Sequence, residues 1–415
     1  MFGTKNLWRF ILIPGNTDLI KQINETRVLN IIRQKVSISR VSLAKLTALN
    51  PSTVTDIITR LTDQGAIEEV GMGNSTGGRK PQMIRLNPKS FLYAGVYIQK
   101  HVYCILMDIY GQVYSKMDFL LSDPEKLTLS NIAVYIRKVA EQAGVPISNL
   151  RGIGLGFPGQ VDSQYGIVKF APHINWQNVA IKEFLEKELQ ASVFVDNGMK
   201  ATALGECWFG AEKGLSDFVL LNISDGIGSA LVINNRIYRG LNQQAGELGH
   251  NYLLGNISPA GTNLCRCGKK GCLETVASQR AIVEQFVNAA GADPETNTPD
   301  ILNKIFLSWK NREEPGCEII DQAAFYLGIT IANILNFLDP QKIIITGSVV
   351  EAGGDEFLAR VLEFAKEHTF GFIDSSRVII SSLGPYRYAI GAATLGMHHL
   401  FKAGIQDDDD LELMI

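Results

Sequence analysis

Apolar runs are short in this 415-residue chain: none approaches the roughly 20 residues needed to cross a bilayer. The best N-terminal candidate, Trp8 to Pro14, is brief and has no small-residue cleavage site, so membrane insertion and export are not expected and a cytoplasmic location is. Net charge is also scarce, with 39 Lys and Arg against 42 Asp and Glu, and 46% of residues are apolar. That balance excludes a disordered or collagen-like chain. Only six cysteines occur, too few and too unevenly spaced for a disulfide scaffold. What the chain has instead is length for two or three domains, and 39 glycines scattered beside apolar runs such as Phe218 to Leu221 and Lys342 to Ile345. Tight turns between buried strands follow, which points to an α/β body.

The near-neutral total hides a partition. Residues 1–90 hold 13 Lys and Arg against 6 Asp and Glu, a net +7, which leaves −10 on residues 91–415. An anionic polymer would bind the basic head, while the acidic tail 401–415, with Asp407 to Asp410, reads as a solvated terminus. Within the head, apolar residues at three- and four-residue steps predict a helix over Asp18 to Ile32. A second is expected from Arg40 to Thr47 with Ser39 as N-cap, and a third from Pro51 to about Gln64 with Asn50 as N-cap. Two strands, Ile67 to Gly71 and Gln82 to Leu86, would flank a Gly-rich tip over Met72 to Pro81. Three helices and a hairpin make a winged helix-turn-helix. A small helical module for protein contacts is the competing reading, and the basic balance argues against it. The third helix would turn Ser52, Thr53, Thr55, Asp56 and Arg60 outward toward base edges and phosphates of a major groove. Arg79 and Lys80 would lie along phosphates or in the adjacent minor groove.

Beyond residue 90 a three-strand pattern occurs twice, as Ala94 to Ile98, Val102 to Asp108 and Gln112 to Lys116, then as Phe218 to Ile223, Gly228 to Ile233 and Arg236 to Gly240. A further strand, Lys342 to Thr346, is expected between helices over Cys317 to Asp339 and Asp355 to Glu367. Two similar lobes with a ligand cleft between them are implied. His250, Cys265, Cys267 and Cys272 offer one imidazole and three thiols, a closed tetrahedral set suited to structural zinc; a redox pair and simple buried cysteines are the other uses of such residues.

Gly246-Glu247-Leu248-Gly249-His250, followed by Cys-x-Cys-Gly-x-x-Gly-Cys-x-Glu over Cys265 to Glu274, resembles the signature of the ROK family of repressors and sugar kinases. The likeness runs from about Asn16 to about Leu400 and is greatest toward bacterial xylose repressors. It implies an N-terminal extension (1–15), a winged helix-turn-helix (16–89), a two-lobed, actin-like or sugar-kinase-like body (90–400) with a zinc loop over 250–274, and the tail.

Kinases of the family open the body with Asp-x-Gly-Gly-Thr near ATP phosphates; here the matching run begins at Tyr97. Their second phosphate loop, Gly-Thr-Gly-Ile-Gly, reads Ser224-Asp225-Gly226-Ile227-Gly228, with a carboxylate where phosphate would sit. Their general-base Asp is Gly198, which cannot accept a proton. No catalytic residue is therefore expected. The resemblance assigns sugar contacts to Asn175, Asn197, Glu247, His250 and Glu274, with Asp196 beside the missing base. Carboxylates and amides suit sugar hydroxyls, although these carboxylates could equally serve only to support the zinc loop. The expectation is a sugar-responsive repressor, working as a homodimer or tetramer on double-stranded, near-palindromic operator DNA. A repressor released by a protein partner and a sugar kinase with a DNA-binding appendage are the alternatives.

Overall fold

The computed structural model describes residues 17–73, 80–212, 214–252, 264–291, 300–371 and 374–402. Two units emerge. One comprises the N-terminal residues through Leu92, together with Asp108–Gln112 and the chain from Met397; the other holds Tyr93–Met107 and Val113–Gly396.

In the first unit, α1 (Thr17–Lys35), α2 (Arg40–Thr47) and α3 (Pro51–Asp63) pack around Val28, Ile32, Leu43, Val54, Ile58 and Leu61. Ser39 caps α2 as expected, its Oγ accepting from Ser42 N at 3.1 Å. Asn50 occupies the N-cap position of α3 with extended backbone, but its side chain makes no capping bond, and Pro51 carries the start instead. A short β1 (Ile38–Ser39) joins β2 (Ile67–Met72) and β3 (Gln82–Leu86) in the order β1-β3-β2, so the wing is a three-stranded sheet. Gly65, at φ +71°, turns the chain out of α3, and its carbonyl accepts from Asn87 Nδ2 and Ser90 Oγ at 2.9 and 2.8 Å. Distant segments complete the unit: Leu86 N donates to Tyr110 Oη (3.1 Å), and Asn30 Nδ2 donates to the carbonyl of Phe401 (3.0 Å).

The second unit is built on two five-stranded sheets of matching plan. β4 (Leu92–Ile98), β5 (His101–Asp108) and β6 (Val113–Leu120) form a meander that β7 (Leu150–Phe157) and β11 (Val193–Asn197) extend in the order β11-β7-β4-β5-β6. The other sheet repeats this with β12 (Phe218–Ile223), β13 (Ile227–Ile233) and β14 (Arg236–Tyr238), extended by β15 (Lys342–Thr346) and β16 (Val378–Ile380), in the order β14-β13-β12-β15-β16. The two expected meanders are thus real, and β4 and β12 are buried along their whole length. A small sheet of β8 (Gln160–Asp162), β9 (Ile167–Ala171) and β10 (Trp176–Val179) was not anticipated.

Helices α4 (Leu129–Gln142) and α5 (Ile181–Leu189) cover the first sheet, and α6 (Gly198–Phe209) touches strands of both sheets. The second sheet is covered by α7 (Glu274–Ala277), α8 (Gln279–Ala290), α9 (Ile301–Lys310), α10 (Gly316–Leu338) and α11 (Ser348–His368), whose core includes Ile305, Phe306, Ile320, Leu327 and Phe357. The helix expected from Asp355 is the second part of α11, kinked at Gly354 (φ +62°). The last helix, α12 (Arg387–Lys402), lies so close to β4 and β7 that a Cβ at Gly95 or Gly154 would come within 2.0 Å of a helix carbonyl. One correction concerns length: among the described residues, α10 is long and apolar enough to cross a membrane, and 67% of that stretch is buried in the protein core.

Candidate functional site

Between the two sheets lies a cleft enclosing about 450 Å³, and its walls come from motifs that are far apart in sequence. Gly246-Glu247-Leu248-Gly249-His250 approaches the end of β13 so closely that a Cβ at Gly249 would sit 2.0 Å from the Ile227 carbonyl, while Gly246 adopts φ +94°. Only glycine tolerates either position, and the close approach presents Glu247 and His250 to the cleft. Glu274, at the start of α7, enters from behind, its Oε2 accepting from Ile227 N at 3.4 Å. A Cβ at Gly226 would meet that same oxygen at 2.8 Å, which explains the glycine in Ser224-Asp225-Gly226.

The Nδ1, Nε2 and Sγ ligand atoms available on His250, Cys265, Cys267 and Cys272 lie within 4.8 Å of one another, with Cys267 and Cys272 sulfurs 3.6 Å apart. Tetrahedral zinc with Zn–S bonds of about 2.3 Å sets its sulfurs slightly under 4 Å apart, so this donor set fits a structural metal. His250 faces both neighbours: Nδ1 is 3.5 Å from the Cys265 sulfur and Nε2 is 3.9 Å from Glu247 Oε2. One nitrogen can serve the metal while the other addresses the cleft. Part of the expected zinc loop, residues 253–263, lies outside the described residues.

The remaining anticipated sugar residues divide. Asn197 lines the cleft, but its side chain is committed, with Oδ1 capping α6 at Met199 N and Lys200 N and Nδ2 donating to the Gly159 carbonyl at 2.8 Å. Asn175 is exposed, in left-handed backbone at φ +53°, and does not line the cleft. Asp196 does not line it either. Its buried carboxylate is gripped at both oxygens by Arg239, at 3.0 and 2.6 Å. Nearby, Lys200 is buried and donates to the Gln243 carbonyl, and burial lowers its ammonium from the ordinary lysine range against the pull of Asp196.

Tyr97 and Asp225, which stand where the resemblance puts the kinase phosphate positions, both pack against other side chains of the protein. The Tyr97 ring is buried, stacks on Tyr388 with centroids 4.6 Å apart, and forms part of the cleft wall. Burial, then the neighbouring Tyr388, push its phenol well above the usual tyrosine range. Tyr388 Oη in turn donates to Asn222 Oδ1 on β12 at 2.6 Å. Asp225 is paired with Arg266 of the Cys-x-Cys motif at 2.6 Å, so its charge is compensated. No signal in the sequence singled out Arg239, Arg266 or Tyr388, because each acts through a partner more than 40 residues away.

In the head, Ser52, Thr55, Asp56 and Arg60 are exposed on α3 and Thr53 is half-buried. Thr55 Oγ1 donates back to the Pro51 carbonyl (2.8 Å), and Arg60 is ion-paired with Glu25 of α1. Lys80 is exposed; Arg79 lies outside the described residues.

A winged-helix head joined to an α/β body with a polar ligand cleft and a Cys₃His cluster is the build of a DNA-binding transcription regulator. Residues 95–399 match the ROK family model and residues 22–68 match a winged helix-turn-helix DNA-binding model. The chain belongs to the ROK family, as a transcriptional regulator similar to xylose repressors. The xylose repressor of Caldicellulosiruptor bescii is 32% identical, over 86% of this chain and 90% of its own. The DNA-binding transcriptional dual regulator NagC of Escherichia coli K12 is also 32% identical, over 92% and 94%. Among solved structures, a ROK family transcriptional regulator described as a homologue of the E. coli MLC protein superposes with a TM-score of 0.76 at 27% identity, over 92% of this chain and 97% of that one. A ROK glucokinase from Streptomyces griseus, in complex with glucose and AMPPNP, matches with a TM-score of 0.61 at 26% identity, over 74% and 99%.

Proposed function

We propose that this chain is a sugar-responsive transcriptional repressor without phosphotransfer activity. The observation that carries the reading is the cleft, which keeps Glu247, His250 and Glu274 for a polyhydroxylated ligand while its phosphate positions are filled by Tyr97 and by the Asp225–Arg266 pair. In this reading the head binds a near-palindromic operator as a homodimer, with Ser52, Thr53, Thr55, Asp56 and Arg60 at the major groove and Arg79 and Lys80 at the wing. Glu247, His250 and Glu274 contact the sugar, xylose being the first candidate, with Asn197 supporting the wall. Zinc held by His250, Cys265, Cys267 and Cys272 fixes the loop that carries Glu274. Sugar in the cleft favours a body arrangement that spaces two heads wrongly for their half-sites, and a coupling of about 1–3 kcal/mol would weaken operator binding about 5- to 150-fold.

The test is fluorescence anisotropy on DNA from upstream of its own gene at one fixed salt concentration, because phosphate contacts make affinity steeply salt-dependent. Tight binding that one sugar weakens at least fivefold is the expected result. Operator affinity unchanged by xylose, glucose and a panel of amino sugars would overturn the sugar-sensing part and favour release by a protein partner.

A further inference from the structure

Gly198 and Tyr97 are complementary shapes. A Cβ on residue 198 would lie 2.3 Å from Tyr97 Cε2, 3.2 Å from Cδ2 and 3.4 Å from Cζ, so the ring occupies the volume that a side chain at 198 would need. Gly156 on β7 supports the same ring, since a Cβ there would sit 3.1 Å from Tyr97 Cδ2. Tyr388 is stacked against Tyr97 at an interplanar angle of 21° and is held through its hydroxyl to Asn222. The ring is flanked by two glycines and stacked on a second aromatic. It forms a fixed wall of the cleft next to Asn197 and Met199.

We propose that Tyr97 is a specificity-determining residue, an aromatic stop that shapes this end of the cleft for a pentopyranose and against a hexopyranose. The proposal rests on the sugar-sensing reading above. The resemblance puts a kinase's general base at position 198, beside the hydroxyl that is phosphorylated, which in a glucokinase is carried on the exocyclic carbon. Here that end offers a rigid carbon ring instead of a carboxylate. An exocyclic hydroxymethyl group would collide with the ring edge and lose the acceptor it has in a kinase; a ring that stops at its fifth carbon has nothing to place there. Glu247 and His250, with the buried Glu274 behind them, line the same cleft. A single carbon's difference in a fixed pocket is worth about 10- to 200-fold in discrimination.

D-xylose and D-glucose make the cleanest pair of probes, because their pyranose forms differ only by the hydroxymethyl group. Isothermal titration of the full-length protein should give xylose at least tenfold tighter than glucose. Tyr97→Ala should bring the two within about threefold, chiefly by gaining glucose, and Tyr97→Phe, which keeps the ring, should preserve the wild-type ratio. Gly198→Ala should weaken xylose, as the added methyl drives the ring into the cleft. Far-UV circular dichroism checks the fold of each variant, and Tyr97→Phe keeps the test decisive if Tyr97→Ala does not fold. Glucose as tight as xylose in the wild type would overturn the proposal, as would a folded Tyr97→Ala that scales both sugars alike or a Tyr97→Phe that loses the preference. Sugar binding with the wrong preference sinks only the Tyr97 wall. Absence of binding by any sugar, with operator binding intact, sinks the sugar-sensing reading itself.

Discussion

Replacing Arg239 should cost the body more stability than replacing its partner, and the asymmetry follows from who is buried. The Asp196 side chain is 3% exposed and that of Arg239 is 35% exposed. Asp196 accepts two guanidinium bonds, at 3.0 and 2.6 Å, and one from the backbone N–H of Asn197 at 2.8 Å. Arg239→Ala leaves a buried carboxylate with that single N–H, because the Lys200 ammonium is already turned to the Gln243 carbonyl. Breaking a fully buried ion pair from one side costs about 3–5 kcal/mol. Water that reaches the exposed third of Arg239 can follow into its place, which puts the expected loss near 3 kcal/mol. Asp196→Asn keeps the shape and strands only a guanidinium that solvent can reach, for about 1–2 kcal/mol. Urea unfolding at pH 7, followed by tryptophan fluorescence, reads both as midpoint shifts at unchanged slope. A loss below about 1 kcal/mol for Arg239→Ala, or a larger loss for Asp196→Asn, would refute the assignment of Asp196 to an internal structural pair.

Metal analysis of the purified protein should find one zinc per chain, and Cys272→Ser should lower that content and the melting temperature together; full metal retention in the variant would exclude Cys272 as a ligand. Gly198→Asp alone should yield no ADP from ATP with any hexose or pentose, since Tyr97 already fills the position; measurable turnover by that single variant would contradict the packing. Glu206 is buried, with Ser381 donating to it, and burial raises its carboxyl above the ordinary 4.5. A raised folded-state value means that folding disfavours the ionised form, so the penalty is absent below about pH 4.5 and complete once pH has risen through the folded value. Glu206→Gln should therefore melt higher than the wild type at pH 8, with the gap closing toward pH 4.5; a gap that is constant with pH would show that the carboxylate carries no such penalty.

Much of this was legible in the sequence where the signal is local. Helical spacing of Val54, Ile57, Ile58 and Leu61 located α3, Ser39 marked the start of α2, and the repeated strand-turn pattern gave both meanders their order. The Cys₃His cluster could be read because all four ligands fall within 23 residues and thiols at that spacing have few other uses. Most of the misses are long-range. Asp108–Gln112 and the chain from Met397 group with the head although they lie far beyond residue 90 in sequence, because Tyr110 and Phe401 make their bonds there. Asp196 looked like a free carboxylate beside a missing base, and only the fold brings Arg239 to it. Asn50 meets every sequence criterion for an N-cap and holds that position with extended backbone, yet its side chain makes no capping bond.

On the proposed reading, the departures from the kinase pattern are packing events as much as deletions, and that bears on how reversible they are. A residue merely lost from an active site leaves a hole, which costs stability and can be refilled by one substitution. Here each position has acquired a structural occupant. Tyr97 sits in the volume above Gly198 and Gly156, Tyr388 clamps Tyr97 and bonds Asn222 across to the second sheet, and Arg266 neutralises Asp225. Putting back a base at 198 collides with Tyr97; removing Tyr97 to make room empties a buried aromatic site and frees Tyr388. Removing Asp225 breaks its ion pair with Arg266 beside the Cys₃His cluster. Every single step toward the kinase arrangement is thus opposed by a contact that the present arrangement makes, and substituting 97 and 198 together relieves only the collision between them. On the sugar-sensing reading, such a cleft keeps Glu247, His250 and Glu274 along its wall while Tyr97 and the Asp225–Arg266 pair stand where the resemblance puts a kinase's phosphate contacts.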